Sequence, residues 1–360
     1  MPAAISNGTG FSDGDWYAKL AHPAPAGCGP PPSPAVATGF KVEDQFLRYS
    51  FPVKQHLRSG SNQLTVQLES VSGVGPGGIH GEWVSVRKEP SNFGYDWSPI
   101  AETQGIWLPV QLVGVAKLML LDMVATVHVA DDEPSRSLST APQSFEVKVV
   151  TRLNLTSAVS VHFTIGGNWS TATTRVLHLP AGVSEIVDKL PAKDVELWWP
   201  SGYGAQPLYT VDVSAGVSSG SQATAAAPVT ASRRVGFRSV AMDTSNINAT
   251  LQHHVYVVNG VRIFAQGANW VPPDSFESRA TKTVLCDLLS RAKDSNMNFL
   301  RIWGGGIYPQ NDFFDCADEL GLLLEQDGIF SNGVYPDTPA FLGLIAEETR
   351  YQARRLASVK

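Results

Sequence analysis

The chain has 360 residues, 43% of them hydrophobic and 17% charged, with a formal net charge of −6. That length exceeds what one core needs, and the balance is that of a folded globular protein with two or three domains. The negative charge argues against nucleic acid as the main partner, because a phosphate-binding surface needs clustered Lys and Arg; no run of 18 apolar residues exists to span a membrane.

The three cysteines, Cys28, Cys286 and Cys316, are widely spaced and show no CxxC or Cys/His metal pattern. No metal and no cofactor is therefore expected. Cys286 and Cys316 fall on apolar faces of expected helices and read as small core residues. Met1 is not followed by a charged and then an apolar region, so no signal peptide is visible. Four N-x-[ST] sequons, at Asn7, Asn154, Asn168 and Asn248, exceed the ~2 expected by chance and lend weak support to a secretory route.

Residues 1–40 are rich in Pro, Gly and Ala and read as a disordered leader. Residues 41–135 show short β patterns at Phe46–Val53, Gln63–Leu68, Glu82–Arg87, Gly105–Leu112 and Leu118–Val129, separated by turn residues such as Gly75-Pro76-Gly77-Gly78. Strands without helices predict a sandwich or jelly roll, here with its first strands missing. A polar break at Asp131–Gln143 precedes a second set, over 141–241. Its expected strands are Phe145–Leu153, Val159–Ile165, Arg175–Leu179, Val195–Trp199, Leu208–Val213 and Arg234–Val240. About 100 residues in this pattern fits an immunoglobulin-like sandwich.

Over 255–360 the period changes. Strands at Ile263–Val271, Met297–Trp303 and Leu322–Asp327 alternate with helices at Thr281–Asn296, Asn311–Leu320 and from Thr338-Pro339 onward. Gly321 is placed to end the second helix, and Thr338 with Pro339 to start the third. Three βα repeats predict parallel strands, too few to close an eight-stranded (β/α)8 TIM barrel, so a truncated barrel is expected.

Four motifs in order carry a resemblance over residues 45–360. They are Arg87-Lys88 with Asn92-Phe93-Gly94-Tyr95-Asp96-Trp97-Ser98-Pro99 and Gly105-Ile106-Trp107; Trp198-Trp199-Pro200-Ser201-Gly202-Tyr203-Gly204-Ala205-Gln206-Pro207-Leu208-Tyr209; Gly267-Ala268-Asn269-Trp270-Val271-Pro272-Pro273-Asp274-Ser275-Phe276; and Asn296-Met297-Asn298-Phe299-Leu300-Arg301-Ile302-Trp303-Gly304-Gly305-Gly306-Ile307-Tyr308. Together they resemble the β-mannosidase branch of glycoside hydrolase family 2, whose domain order is also two sandwiches and then a βα barrel. The chain departs from that pattern at Tyr95 and Ser98 of the first motif, at Leu108, and at Glu325-Gln326-Asp327-Gly328.

A sugar site needs amphipathic rings for apolar ring faces and fixed polar groups for hydroxyls. Tyr95, Trp97, Trp270 and Trp303 supply the rings; Asp96, Asn269, Arg301 and Asp327 supply the polar groups. The barrel residues among them fall at the C-terminal strand ends, where such folds react. Packing remains an alternative for Trp270 and Trp303, and solvated loop charge for Asp96. Trp107, Trp198 and Trp199 read as core or domain-interface residues. The Gly304–Gly306 run reads as close backbone approach rather than a phosphate cradle. Glu325 and Asp327 share one strand end and do not straddle a bond as a retaining pair must.

The resemblance implies removal of terminal β-D-mannose from oligosaccharides or N-glycan remnants, with retention, by two glutamates on the fourth and seventh barrel strands. Neither strand is expected within these residues, so no catalytic residue is assigned here and the chain alone is expected to be inactive. The implied partner is a β-mannoside oligosaccharide, and the implied location is lysosome, vacuole or secreted. A sibling β-galactosidase or β-glucuronidase, and a non-catalytic carbohydrate-binding protein, are the alternatives.

Overall fold

Burial with a period of two builds the central scaffold. In Ser144–Leu155 the side chains of Phe145, Val147, Val149, Thr151, Leu153 and Leu155 are no more than 2% exposed, while Glu146, Lys148, Val150, Arg152 and Asn154 alternate with them on the less buried face. The computed structural model describes residues 42–357, apart from 61, 63, 67, 69–85, 96, 131–140, 143, 218–226 and 332. The leader and Cys28, most of Glu82–Arg87 and part of Gln63–Leu68 lie outside the described residues.

Seven antiparallel strands form two facing sheets. They are β1 (Leu118–Val129), β2 (Ser144–Leu155), β3 (Val159–Gly167), β4 (Thr173–Leu179), β5 (Gly182–Lys193), β6 (Tyr209–Val217) and β7 (Val229–Val235). One sheet has the order β1-β2-β5 and the other β4-β3-β6-β7. Inward residues of both, such as Val149, Phe163, Ile165, Val213 and Phe237, share one core.

Three sequence readings change here. Leu118–Val129, expected to close the first sandwich, pairs with β2 from Leu118↔Leu155 to Val129↔Phe145 and so belongs to the second. β5 was not anticipated, because Pro191 and its many polar residues weaken the strand pattern. As an edge strand it tolerates both. Val195–Trp199 makes only the isolated bridge Leu197↔Phe237.

Between residues 42 and 117 the described residues form no strand. They hold the short 3-10 turns Lys54–His56 and Pro90–Asn92 and the bridges Asp44↔Arg87 and Phe93↔Ile100. The expected strand Phe46–Val53 fails because Phe46 packs on Ile307, Tyr308 and Ile329 instead of on a sheet face, and Pro52 offers no N–H. In Gly105–Leu112, Gly105 has φ 144° and Pro109 again lacks a donor.

A small antiparallel sheet follows: β8 (Val240–Asp243), β9 (Val255–Val258) and β10 (Val261–Ile263), in the order β10-β9-β8. The β9–β10 turn is Asn259-Gly260, with φ 49° and 82°, the left-handed pair that a two-residue hairpin favours. The Asn259 side chain donates to the Trp198 carbonyl at 3.0 Å and accepts from Ser239 N at 2.8 Å. Trp198 is fully buried and donates Nε1–H to the Asp318 carbonyl at 2.8 Å, so it joins the sandwich to the last part of the chain.

That last part has three parallel strands, β11 (Gly267–Trp270), β12 (Phe299–Ile302) and β13 (Leu323–Gln326), in sequential order. Helices α1 (Lys282–Asp294), α2 (Asn311–Leu320) and α3 (Pro339–Leu356) alternate with them. Gly321 ends α2 at φ 80°, and Thr338 caps α3 by accepting from Phe341 N at 3.4 Å. Leu285, Leu289, Leu300, Ile302, Phe313 and Ala317 form the core between strands and helices. Cys286 and Cys316 are bridged across α1 and α2 with Cα atoms 5.6 Å apart, which corrects their reading as plain core residues. Sequence spacing carries no information on this pairing, since it depends on two helices lying side by side.

One buried cluster fastens residues 42–108 to this unit. Arg87 donates Nε–H to Glu348 Oε2 and Nη2–H to Oε1, each at 2.7 Å, and Nη1–H to the Ile329 carbonyl at 2.8 Å. Both side chains are at most 1% exposed. Phe46 and Phe330 cover the guanidinium at 5.2 and 4.6 Å, and Tyr308 donates to Glu348 Oε1 at 3.1 Å. Gln352 of α3 donates to the Phe46 carbonyl at 2.5 Å.

Two measurements follow from these contacts. Arg87→Ala leaves Glu348 buried without its cation and is expected to cost about 3–5 kcal/mol in denaturant unfolding; Arg87→Met with Glu348→Leu is expected to cost less. Cys316→Ala opens a loop of sequence separation 30. By loop entropy it is expected to lower stability by roughly 3–4 kcal/mol, and reducing agent should destabilise the parent chain while leaving the variant unchanged.

Candidate functional site

Parallel pairing sets Asn269, Arg301 and Glu325 side by side, because Asn269 is in register with Arg301 and Arg301 with Glu325. Residues two apart share a face, so Asp327 continues the β13 row just beyond the strand end. Arg301 donates Nη2–H to Asp327 Oδ2 at 2.5 Å, Nε–H to Oδ1 at 3.2 Å and Nη1–H to Asn269 Oδ1 at 3.1 Å. Asp327 Oδ2 also accepts from Gly304 N at 3.1 Å. The result is a planar charged fork held on two sides and 41% exposed at the arginine.

The glycine run lies beside this fork. A Cβ on Gly304 would stand 2.5 Å from the Gly328 carbonyl and 3.1 Å from Asp327 Cβ, and one on Gly305 would overlap the Trp303 ring. Close backbone approach is thus the physical reason for these glycines. The Ser91 amide donates to the Gly305 carbonyl at 2.9 Å and the Ser331 amide to the Gly304 carbonyl at 3.2 Å, so two separate segments brace the run.

Trp303 gathers an aromatic wall. Its ring centroid is 5.0 Å from that of Tyr95 and 5.4 Å from that of Trp97, both edge-on or nearly so. Tyr95 Oη is 3.1 Å from Ser331 Oγ. Trp97 remains 51% exposed and leans on Trp303, which lies two residues beyond Arg301 in the chain. The loop that carries Tyr95 and Trp97 therefore reaches the C-terminal ends of β12 and β13. Asp96, between them, lies outside the described residues.

Six of the eight residues singled out in the sequence thus come together: Tyr95, Trp97, Asn269, Arg301, Trp303 and Asp327. Trp270 does not join them. It alternates with Asn269, so its ring points to the other face and packs 4.7 Å from Phe313 in the strand–helix core. Packing, the alternative reading, holds for that residue. Sequence reasoning missed Ser331 and Ser91, which brace the site from loops with no pattern of their own. It also missed Tyr256, which donates to Glu325 Oε2 at 2.8 Å; burial and then Glu325 push its phenol up to about 12. Glu325 is thereby engaged below the fork, and Asp327 is engaged by Arg301. Among the described residues no group of three or more His, Cys, Asp or Glu side chains could hold a metal ion.

Comparison with known proteins shows that the chain belongs to glycosyl hydrolase family 2, among β-mannosidase relatives. Residues 37–108 match the family model described as glycosyl hydrolase 2 galactose-binding domain-like. The β-mannosidase of Rattus norvegicus is 33% identical over 284 residues, covering 76% of this chain and 30% of that protein. The β-mannosidase of Capra hircus is 30% identical over 343 residues, covering 88% and 37%. The crystal structure of a β-D-mannosidase from Dictyoglomus thermophilum superposes with a TM-score of 0.66 at 31% identity, over 76% of this chain and 32% of that one. A Parabacteroides merdae β-glucuronidase shares the fold at 17% identity and a TM-score of 0.50. The chain spans about a third of the length of the curated relatives it matches.

The crowding around Gly304 makes a direct test. Gly304→Ala is expected to push Asp327 away and release the Arg301 fork, at a cost of about 1–3 kcal/mol. Unfolding in denaturant measures the cost, and a structure of the variant shows whether the guanidinium has turned.

Proposed function

We propose that this chain, a relative of the β-mannosidases of glycosyl hydrolase family 2 over most of its length, forms the sugar-holding side of a retaining β-mannosidase pocket. The observation that carries the proposal is the Arg301–Asp327–Asn269 fork beside the Trp303, Trp97 and Tyr95 rings. A fixed fork reads vicinal hydroxyls, and ring faces take the apolar side of a pyranose. The 76–88% of the chain that aligns with β-mannosidases at 30–33% identity supports mannose as the sugar. The facing sheets of β1–β7 are read as an immunoglobulin-like sandwich. The units β11–α1, β12–α2 and β13–α3 are read as the first three of a (β/α)8 barrel, and residues 41–117 as belonging to a jelly-roll domain.

Retaining hydrolysis needs two carboxyl groups roughly 5 Å apart on either side of the bond, one protonating the leaving oxygen and one attacking the anomeric carbon. Asp327 is neutralised by Arg301, and Glu325 lies on the same strand with Tyr256 bonded to it. Neither is free for these roles. The acid and the nucleophile are therefore assigned to groups outside residues 42–357, and the part of these residues is to bind and orient the terminal β-mannosyl residue of an oligosaccharide. The Cys286–Cys316 bridge and the sequons support a secretory, lysosomal or vacuolar route, where oxidation is permitted.

Hydrolysis of 4-nitrophenyl β-D-mannoside tests this reading. A protein that joins these residues to a complete barrel is expected to cleave it in preference to the β-galactoside and β-glucuronide. Arg301→Ala in that protein should lower kcat/KM by about 10²-fold or more. The 360-residue chain alone is expected to give no turnover. Turnover by that chain that disappears with Asp327→Asn, or a preference for galactoside, would overturn the assignment.

A further inference from the structure

Three of the four sequons fall on described residues, at Asn154, Asn168 and Asn248, and Asn7 lies outside them. A sequon marks an asparagine able to take a sugar on its amide nitrogen, provided that the amide is accessible and the chain around it can bend. The three sites differ in both respects.

Asn154 sits inside β2, opposite Met119 of β1 on one side and Val183 of β5 on the other. It is half-buried, its neighbour Leu155 belongs to the core, and the Thr156 hydroxyl donates to the Ala116 carbonyl at 3.2 Å. An extended strand also keeps positions two apart roughly 7 Å from each other. Asn168 is exposed, but its Oδ1 accepts from Thr210 N of β6 at 3.1 Å. Its neighbour Trp169 donates Nε1–H to the Pro191 carbonyl at 3.1 Å and lies edge-on to Phe237, with ring centroids 5.1 Å apart. Both sequons are committed to the sandwich.

Asn248 is placed differently. It lies in the connection between β8 and β9, where residues 244–252 are all exposed. The connection folds back at the bridge Asn246↔Gln252, and Ile247 N donates to the Leu251 carbonyl at 2.8 Å. Asn248 Oδ1 accepts from Thr250 N at 2.9 Å, from Leu251 N at 3.0 Å and from the Thr250 hydroxyl at 3.1 Å. The asparagine and the hydroxyl of one sequon therefore touch, and three donors turn the amide oxygen into the turn. Nδ2, with no acceptor among the described residues, is left to solvent. We propose that Asn248 is an N-glycosylation site, the acceptor among the three described sequons, and that its Nδ2 takes an oligosaccharide from a lipid-pyrophosphate donor.

In that step Nδ2 forms a bond to the anomeric carbon of the first sugar. The bond from that carbon to the pyrophosphate oxygen breaks, its electron pair leaves on the phosphate, and one Nδ2 proton passes to a base of the transferase. Hydrogen bonds to Oδ1 stabilise the negative charge that gathers on the amide as the proton leaves. The product amide keeps its carbonyl oxygen, so all three bonds survive the modification. They join positions no more than three apart in the chain, so the turn forms without help from any sheet. A glycan here also stands beside Ile247 and Leu251, which are 53% and 56% exposed, and adds a solubilising cover to that apolar tip.

Such transfer happens in a secretory compartment, so in the native setting the modification rests on the secretory route proposed above. Fusing a eukaryotic secretion signal to the full 360-residue chain separates the two questions. The protein is collected from whole cells, whether secreted or retained, and treated with peptide N-glycosidase in heavy-oxygen water. Mass spectrometry then reads each formerly glycosylated asparagine as a labelled aspartate. Asn248 is expected to be labelled in most molecules, and Asn154 and Asn168 in fewer. Asn248→Gln and Thr250→Val are each expected to remove a gel shift of one glycan, while Thr250→Ser, which keeps the hydroxyl, retains it. An unlabelled Asn248, or heavier labelling of Asn154 or Asn168 than of Asn248, overturns the assignment. A labelled Asn248 in this experiment, with the native protein found in the cytosol, supports the site and retires the secretory route instead.

Discussion

A guanidinium and a carboxylate placed out of reach of water must find each other, and the Arg87–Glu348 pair turns that demand into architecture. Taking each charge out of water costs several kcal/mol, which the bidentate contact and the added bonds from Ile329 and Tyr308 offset. Such a pair need not contribute more net stability than apolar side chains of the same size. What it does is forbid alternatives, because any other seating of residues 42–108 strands a buried charge. The covering rings of Phe46 and Phe330 come from opposite sides of the contact, so the pair also fixes how the two surfaces turn relative to each other.

From that anchor the constraint runs a short way to the candidate site. Four residues beyond Arg87, the Ser91 amide holds the Gly305 carbonyl, and Gly305 lies under the Trp303 ring. Four residues further, Tyr95 meets Trp303 and Ser331. Two of the three rings of the aromatic wall, Tyr95 and Trp97, are thus carried by a segment whose described residues form only short 3-10 turns and isolated bridges, positioned by its attachments. Rigidity in this region comes from hydrogen bonds and ring contacts to the βα units, not from a sheet of its own.

Much of this was legible in the sequence, for identifiable reasons. The apolar alternation of Phe145, Val147 and Val149 and the helical stripe of α1 are local signals, and both elements formed. Asn269, Arg301 and Asp327 could be named because parallel strands place their C-terminal ends together. Local signals failed where a distant partner decides. β1 reads equally well as the last strand of one sandwich or the first of the next, and only its ladder with β2 distinguishes them. The direction of Trp270 was open because alternation gives relative, not absolute, facing. The Cys286–Cys316 bridge and the Arg87–Glu348 clamp join residues 30 and 261 positions apart, beyond the reach of periodicity.

The β9–β10 hairpin makes the two ends of the parallel strands unlike. Val258 and Ile263 of the hairpin pack with Trp198, Leu323, Phe299 and Tyr256 under the amino-terminal ends of β12 and β13. Hydrocarbon therefore covers one end of these strands, while Arg301 and Asp327 stand at the other. A charge placed at Val258 or Ile263 would meet an apolar cluster with no partner for it, so this end of the strand layer tolerates shape changes far better than polarity changes.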